Sequence, residues 1–244
     1  MPFYTSQQII TRACAIAKVT SAMAPIAGVY LNNVLEELCM TYDLEINTAT
    51  VTVSLTGGGP NNGIGPYSLP TNYLRAKSRD LTYYIDGVPK QLIQITLQEM
   101  DALILTTGIA NYPQNYATDV SPLTTQSAPL LYVYPPPVII IPLQVRYFLL
   151  QSDITTPETS SAIPWFPYQQ YLIKRVAGEL MGEAGDDRAD AYLGDTPSGC
   201  VGMLRRYLNL QGDTEDTIQQ VQLDARYWGA GGGNFGPSKI TGGI

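Results

Sequence analysis

The chain has 244 residues, 45% of them hydrophobic and only 14% charged, with a formal net charge of -7. This describes a folded chain able to bury one large core or two modest ones, and it excludes a protein that grips nucleic acid through phosphates, which needs clustered Lys and Arg. Histidine is absent, so Ser/His/Asp triads, Cys/His pairs, HExxH zinc sites and imidazole acid–base catalysis are excluded together.

The first predicted element is a helix from about Ser6 to Thr20, capped by Thr5 or Ser6, with Ile9, Ala13, Ile16 and Ala17 on one face. Pro25 and Gly28 mark a turn. A second helix then runs to about Tyr42, its Leu31, Val34, Leu35 and Leu38 repeating at i, i+3, i+4 and i+7. The two form a helical hairpin whose apolar stripe needs a partner.

From about Glu45 to Ala162 the pattern changes to strands and loops. Val51, Val53 and Leu55 alternate before a Gly57–Pro60 turn cluster, and Leu81–Ile85, Leu92–Thr96, Leu130–Tyr134 and Gln144–Leu150 are further strand candidates. Asp86-Gly87 separates two of these as a hairpin turn would. Thr96 with Glu99 matches a capping box and predicts a helix through Met100 to Leu105, ending before Gly108. Asn111 to Pro129 lacks periodicity and reads as a long loop, while Pro135–Pro137 forbids a central strand. The most apolar run, Val138 to Leu150, is interrupted by Pro142, Gln144 and Arg146 and falls short of the about 20 apolar residues of a membrane helix.

The chain is organised around Ile163 to Leu210. Pro164 and Pro167 fix an extended approach that brings Trp165, Phe166 and Tyr168 to the start of a helix near Pro167. There Tyr168, Leu172, Val176 and Leu180 form a stripe, flanked by Ile173, Ala177 and Met181. Gly182 and Gly185 end this run. Asp186 is placed to cap a second helix, which Pro197–Gly199 breaks or kinks and in which Val201, Leu204, Tyr207 and Leu208 carry the apolar face to a stop near Gly212. With a helical pair at each end, the economical solution packs the pairs together. The expected fold is therefore α+β: a helical bundle from residues 1–44 and 163–212, an inserted β-rich lobe at 45–162, and an extended tail at 213–244.

Candidate chemistry is sparse. Cys14, Cys39 and Cys200 lie far apart without CxxC spacing and read as reduced, buried thiols. The N-terminus lacks a basic region followed by an apolar core, so no signal peptide is expected. The glycine runs at 57–59 and 229–233 lack the GK[ST] ending of a phosphate loop. Asp186, Asp187 and Asp190 read as helix capping and a solvated face rather than a metal site. Asp153 and Glu158 are the one pair to weigh as glycosidase carboxylates, and loop carboxylates are common. Trp165, Phe166 and Tyr168 read as docking against the chain's own core rather than as a sugar platform. No catalytic, cofactor-binding or metal-binding residue is assigned. In the tail, Val221–Leu223 is a short strand candidate, and Arg226, Tyr227, Trp228, Phe235, Ile240 and Ile244 sit on a glycine-rich segment that cannot build its own core, an arrangement suited to filling a neighbour's pockets. The abundance of tyrosine and proline, 17 and 18 residues, fits a surface covered by partners and hence an assembly subunit.

The pattern PYSLPTNYLRAKSRDLTYYIDGVP, then YVYPPP, VRYFLLQSDIT, IPWFPYQQYLIKRVAGELMGEAGDDRADAYLG and VQLDARYWG resembles the head-to-tail adaptor (head-completion or tail-tubular) proteins of tailed, especially short-tailed, bacteriophages. The resemblance covers most of the chain and rests on the joint order of motifs. It implies a non-enzymatic virion protein at the head–tail junction, assembled in the host cytoplasm as a dodecameric ring between the portal protein and the nozzle or tube proteins of the tail. It further implies a C-terminal extension that reaches the portal, with Arg226, Tyr227, Trp228 and Phe235 as the portal-binding residues. DNA would pass through without specific binding, and neither cofactor nor membrane is implied. The alternative class is a tail-borne glycan-binding module or a glycan hydrolase using Asp153 and Glu158.

Overall fold

The computed structural model describes residues 3–56, 64–77, 80–106, 112–121 and 127–211, which form a mixed α+β protein. Among them are six α-helices and an eight-stranded sheet.

Helix α1 spans Ser6–Ala17 and begins with a capping box in which Thr5 and Gln8 exchange side chain-to-backbone bonds. It stops earlier than Thr20 because Lys18 takes the left-handed conformation (φ 57°) and closes the last turn. Its buried face is Ile9, Ile10, Ala13, Cys14 and Ala17, with Ile16 only half-buried. Helix α2 spans Ala24–Thr41, so Pro25 and Gly28 lie inside it rather than in the turn. Proline fits there because a first-turn residue has no intrahelical partner for an N–H. Gly28 lets the chain at Pro157 and Glu158 lie close over the helix, a Cβ there meeting Glu158 Oε2 at 3.2 Å.

Helix α4, Gln169–Glu183, is the helix against which α1, α2, α5 (Ala189–Leu193) and α6 (Cys200–Gln211) all pack. Leu172, Ile173, Val176, Ala177, Leu180 and Met181 are buried, as the stripe predicts, while Tyr168 is half-buried at the N-cap. Gly185, at φ +68°, ends the helix: Asp186 N donates to Met181 O (2.9 Å) and Gly185 N to Gly182 O (3.1 Å), satisfying terminal carbonyls. Gly182 remains within the helix. Asp186 does not cap α5, whose N-cap is Arg188. Its carboxylate instead accepts from the Arg188 backbone N–H and guanidinium. The expected second helix is two helices, because the Gly194–Gly199 turn separates α5 from α6, and Val201 faces solvent while Met203 and Leu204 are buried. Apolar side chains of α1, α2, α4, α5 and α6 form one cluster with Phe166 and Leu44.

The strands are β1 (Thr48–Leu55), β2 (Tyr67–Ser68), β3 (Tyr73–Ala76), β4 (Asp80–Ile85), β5 (Val88–Gln94), β6 (Asn115–Asp119), β7 (Leu130–Tyr134) and β8 (Ile141–Leu149). The long β8 is the spine: β1 pairs along it from Leu55↔Ile141 to Thr48↔Phe148, and β3 and β4 pair on its other side. Ile141, Leu143, Val145 and Tyr147 alternate inward along it. The order continues β4-β5-β6-β7-β2, and β2 comes back near β1, where Tyr67 Oη donates to Thr56 O. The sheet thus curls so that its inward faces share one apolar core. Asp86 and Gly87, at φ 49° and 79°, make the expected hairpin turn between β4 and β5.

Strand β6 corrects the reading of Asn111–Pro129 as a loop. Its pairing is non-local, parallel to β5 at Ile93↔Asn115 and antiparallel to β7 from Asn115↔Tyr134 to Asp119↔Leu130. Its sequence, NYATD, carries too little apolar alternation to show this alone. Helix α3 (Leu97–Thr106), begun by the Thr96–Glu99 capping box, covers β6 and β7 through Met100, Ala117 and Tyr134.

Candidate assembly surfaces

Three local arrangements fix how the helices, the sheet and the exposed faces sit relative to one another. At the joint between helices and sheet, the buried Asn47 amide donates to Leu149 O (2.9 Å) and its Oδ1 accepts from Gln151 Nε2 (2.6 Å). Cys39 Sγ also donates to Leu149 O (2.9 Å), so the end of α2, the start of β1 and the end of β8 converge on one carbonyl. Beside it Arg75, from β3, grips Asp43 through Nε (2.9 Å) and Nη2 (2.6 Å) and donates to Met40 O and Tyr42 O (both 3.3 Å). Those carbonyls close α2, where a cation complements the helix dipole. Arg75 also lies over the Phe148 ring, and Lys77 pairs with Glu45.

The aromatic approach to α4 turns inward. Phe166 is fully buried and meets Trp165, Tyr171 and Tyr207 edge-on, its centroid 4.9 Å from that of Tyr207, while Tyr168 stacks on Tyr207. These rings weld α4 to α6, as docking against the chain's own core requires. Gln169, just beyond, is buried and exchanges two bonds with the Tyr4 backbone. Burial pushes the Tyr171 hydroxyl up, and the Cys200 thiol is pushed up to about 11 by the same cause.

Elsewhere the fold leaves large apolar side chains outside. Val138, Ile139 and Ile140 are exposed, Ile140 by 70%, just before β8 turns the same apolar run inward. The β4–β5 hairpin presents Tyr84 and Val88, and α3 presents Leu97, Ile104 and Leu105, the last 87% exposed. A separate open recess of about 690 Å³ lies between α4 and α6, lined by Tyr168, Lys174, Pro197, Ser198, Met203 and Arg206.

The carboxylates singled out from sequence are dispersed or engaged. Hydrogen bonds from the Arg188 side chain hold the Asp186 carboxyl down at about 2, and both groups are solvent-facing. Asp190 lies in α5. Glu158 lies against α2 at Gly28, and Asp153 is exposed on the segment that follows β8. Among the described residues no group of three or more His, Cys, Asp or Glu is arranged to hold a metal ion, and no helix is long and apolar enough to cross a membrane. Arg226, Tyr227, Trp228 and Phe235 lie outside the described residues, as do the glycine runs at 57–59 and 229–233.

Residues 4–230 match the family model of the SU10 adaptor protein. The chain belongs to this family of phage head–tail adaptors. No curated protein matches it. The adaptor is therefore a structural component of a phage virion that interacts with head and tail components. Sequence alone assigns no role to the adaptor's Asn47, which sits in no motif, or to Arg75, which lies in the YLR stretch of the family pattern, because both act on partners brought near only by folding. The exposed Val138–Ile140 was visible as part of an apolar run, yet nothing local separated its outward half from the inward half that follows.

Proposed function

We propose that this adaptor assembles as a ring, dodecameric as the resemblance implies, that joins the portal to the tail and continues the DNA channel. The observation that carries the reading is the family match along residues 4–230, which takes in the helices, the sheet and the segment through Trp228. The helical part (1–44 and 163–212) and the β-rich part (45–162) act as two lobes, and residues 213–244 reach the portal through Arg226, Tyr227, Trp228 and Phe235. Exposed apolar side chains at Tyr84, Val88, Leu105 and Val138–Ile140 support a chain made to be covered by neighbours. Rings arise when such heterologous contacts close. A net charge of -7 supports a lumen past which DNA slides, since phosphate contacts would create sites of adhesion.

Mixing the full chain with purified portal and imaging the product tests this directly. A closed ring seated on the portal is expected, with a chain ending at Gly212 failing to join it and Trp228→Ala joining more weakly. A large buried aromatic contributes about 2 kcal/mol, repeated around a ring. Equal portal binding by the truncated chain would make residues 213–244 a spacer and move the interface to the lobes. Failure of the full chain to join portal at all would overturn the reading.

A further inference from the structure

The recess between α4 and α6 is lined by Lys174 and Arg206 and by no carboxylate. Both cations donate to backbone carbonyls, Lys174 Nζ to Ser198 O (3.0 Å) and Arg206 to Pro197 O and Gly202 O. Neither forms an ion pair among the described residues, whereas the neighbouring Arg205 is held by Asp195 (3.0 Å) and Arg175 by Glu37 and Glu179. Tyr168, Pro197 and Met203 add apolar walls. A cationic recess with apolar walls suits a protruding element that carries a carboxylate between apolar side chains.

The β4–β5 turn is such an element. From Tyr84 to Pro89 its one charge is Asp86, which stands at the tip at φ 49°, is exposed and forms no ion pair among the described residues. Tyr84 and Val88 flank it and are exposed. The turn cannot reach the recess of its own chain. Tyr83 lies beside Leu143, and β4 runs from there towards the Ile141 end of β8, whereas the helices join the sheet at Leu149, about 26 Å away along the strand. Pairing with β5 and β8 holds β4 in that direction. We infer that the β4–β5 turn of one copy enters the recess of the next, with Asp86 facing Lys174 and Arg206 and with Tyr84 and Val88 against the apolar walls. The turn is narrow, its strands about 5 Å apart. The recess, at about 690 Å³, lies within the roughly 300–1,000 Å³ of sites that enclose a bound group. Each copy then gives one turn and receives one, the heterologous contact from which rings close. This contact rests on the ring proposed above and supplies the joint between its subunits.

Two full-length chains, one carrying Lys90→Cys and the other Ser198→Cys, mixed with purified portal and treated with a short bis-maleimide, test the contact. Both positions are exposed and the native cysteines are buried. Links between unlike chains are expected at least tenfold faster than links between like chains. Asp86→Lys in the first chain should lower the rate at least tenfold, and Asp86→Asn, which suits the same turn, should lower it less. Arg206→Glu in the second chain should lower it likewise, and the two reversals together should restore it. An unchanged rate with either reversal would overturn the contact, as would losses that the paired reversal does not recover. Imaging of the wild-type chain in the same mixture separates this contact from the ring itself. A ring on the portal without unlike-chain links overturns the contact alone and gives the turn to a head or tail component. Links without a closed ring sink the ring reading and leave the contact standing in an open head-to-tail chain. Absence of both overturns both.

Discussion

The helical part and the sheet bury apolar surface by different means. Around α4 the core is mainly aliphatic and close-packed, with aromatic rings gathered at Phe166 and Tyr171: Ala13, Ala27, Leu31, Leu172, Val176, Ala177 and Leu180 are buried. Gly178 lets α5 approach so closely that a Cβ there would sit 2.6 Å from Leu193 Cδ2. Inside the sheet the largest fully buried side chains are tyrosines, Tyr73, Tyr83 and Tyr116. Tyr83 Oη donates to Pro113 O (2.8 Å), and Tyr147, its ring tilted 32° against that of Tyr73, donates to Asn72 Oδ1 (3.2 Å). A curled sheet encloses a wider interior than two helices at contact distance, so it takes large rings, and each ring brings a hydroxyl that needs a partner. The helical core therefore tolerates charge least, and the sheet core depends more on long-range polar geometry.

The sharpest test of that contrast is Leu172→Asp. It places an unpaired carboxylate at a fully buried position on the helix that α1, α2, α5 and α6 touch, and should destabilise the protein by about 4 kcal/mol or more. Denaturant titration by circular dichroism reads it, and a wild-type midpoint would mean that α4 is not the centre of the helical core. Leu143→Ala, fully buried in β8, should cost about 3 kcal/mol through the cavity it leaves. A loss under about 1 kcal/mol would show that the tyrosine-rich interior closes around small defects, sharpening the contrast in the opposite direction.

Asn47→Ala tests the joint. It removes the donor to Leu149 O and the acceptor for Gln151, leaving buried polar groups short of partners at an expected cost of about 1–3 kcal/mol. If the helical and β-rich parts are two lobes, the variant should also split one unfolding transition into two, seen as non-coincident far-UV and tyrosine fluorescence curves. A single coincident transition would mean that the parts fold as one unit.

The same contrast explains what the sequence could show. Leu172, Val176 and Leu180 meet their partners on one helix face, so spacing alone reveals them. Strand β6 has no such signal, since Asn115–Asp119 is a strand only because β5 and β7 lie beside it. Arg75 belongs to the same class: its partners Asp43, Met40 and Tyr42 come from α2's end, and no local pattern links them. The inward half of β8 alternates cleanly, but its outward prelude Val138–Ile140 has the same composition, and only a surface without a covering element distinguishes them. The family's motif order carried what periodicity could not, which is why the functional class was legible while the recess between α4 and α6 was not.

The smallest effect concerns the rim of the helical part. Asp186 is held at about 2 in the fold by the Arg188 side chain, below the ordinary value of 3.8. A carboxyl whose folded value is depressed adds stability above its unfolded value and loses it as pH falls through the folded one. The contribution is therefore complete above about pH 4 and gone below about pH 2. Because the pair is solvent-exposed, screening keeps it small. Asp186→Asn should thus leave the denaturation midpoint at pH 7 close to wild type, flatten the decline between pH 4 and 2, and show less sensitivity to added salt there. A steep loss at neutral pH would mean that the Asp186 side chain holds the α4–α5 link, with the bond its Oδ1 accepts from the Arg188 backbone N–H (3.0 Å) as the contact at stake. An acid limb superimposable on wild type would mean that the ion pair contributes nothing and that Gly185 alone sets the end of α4.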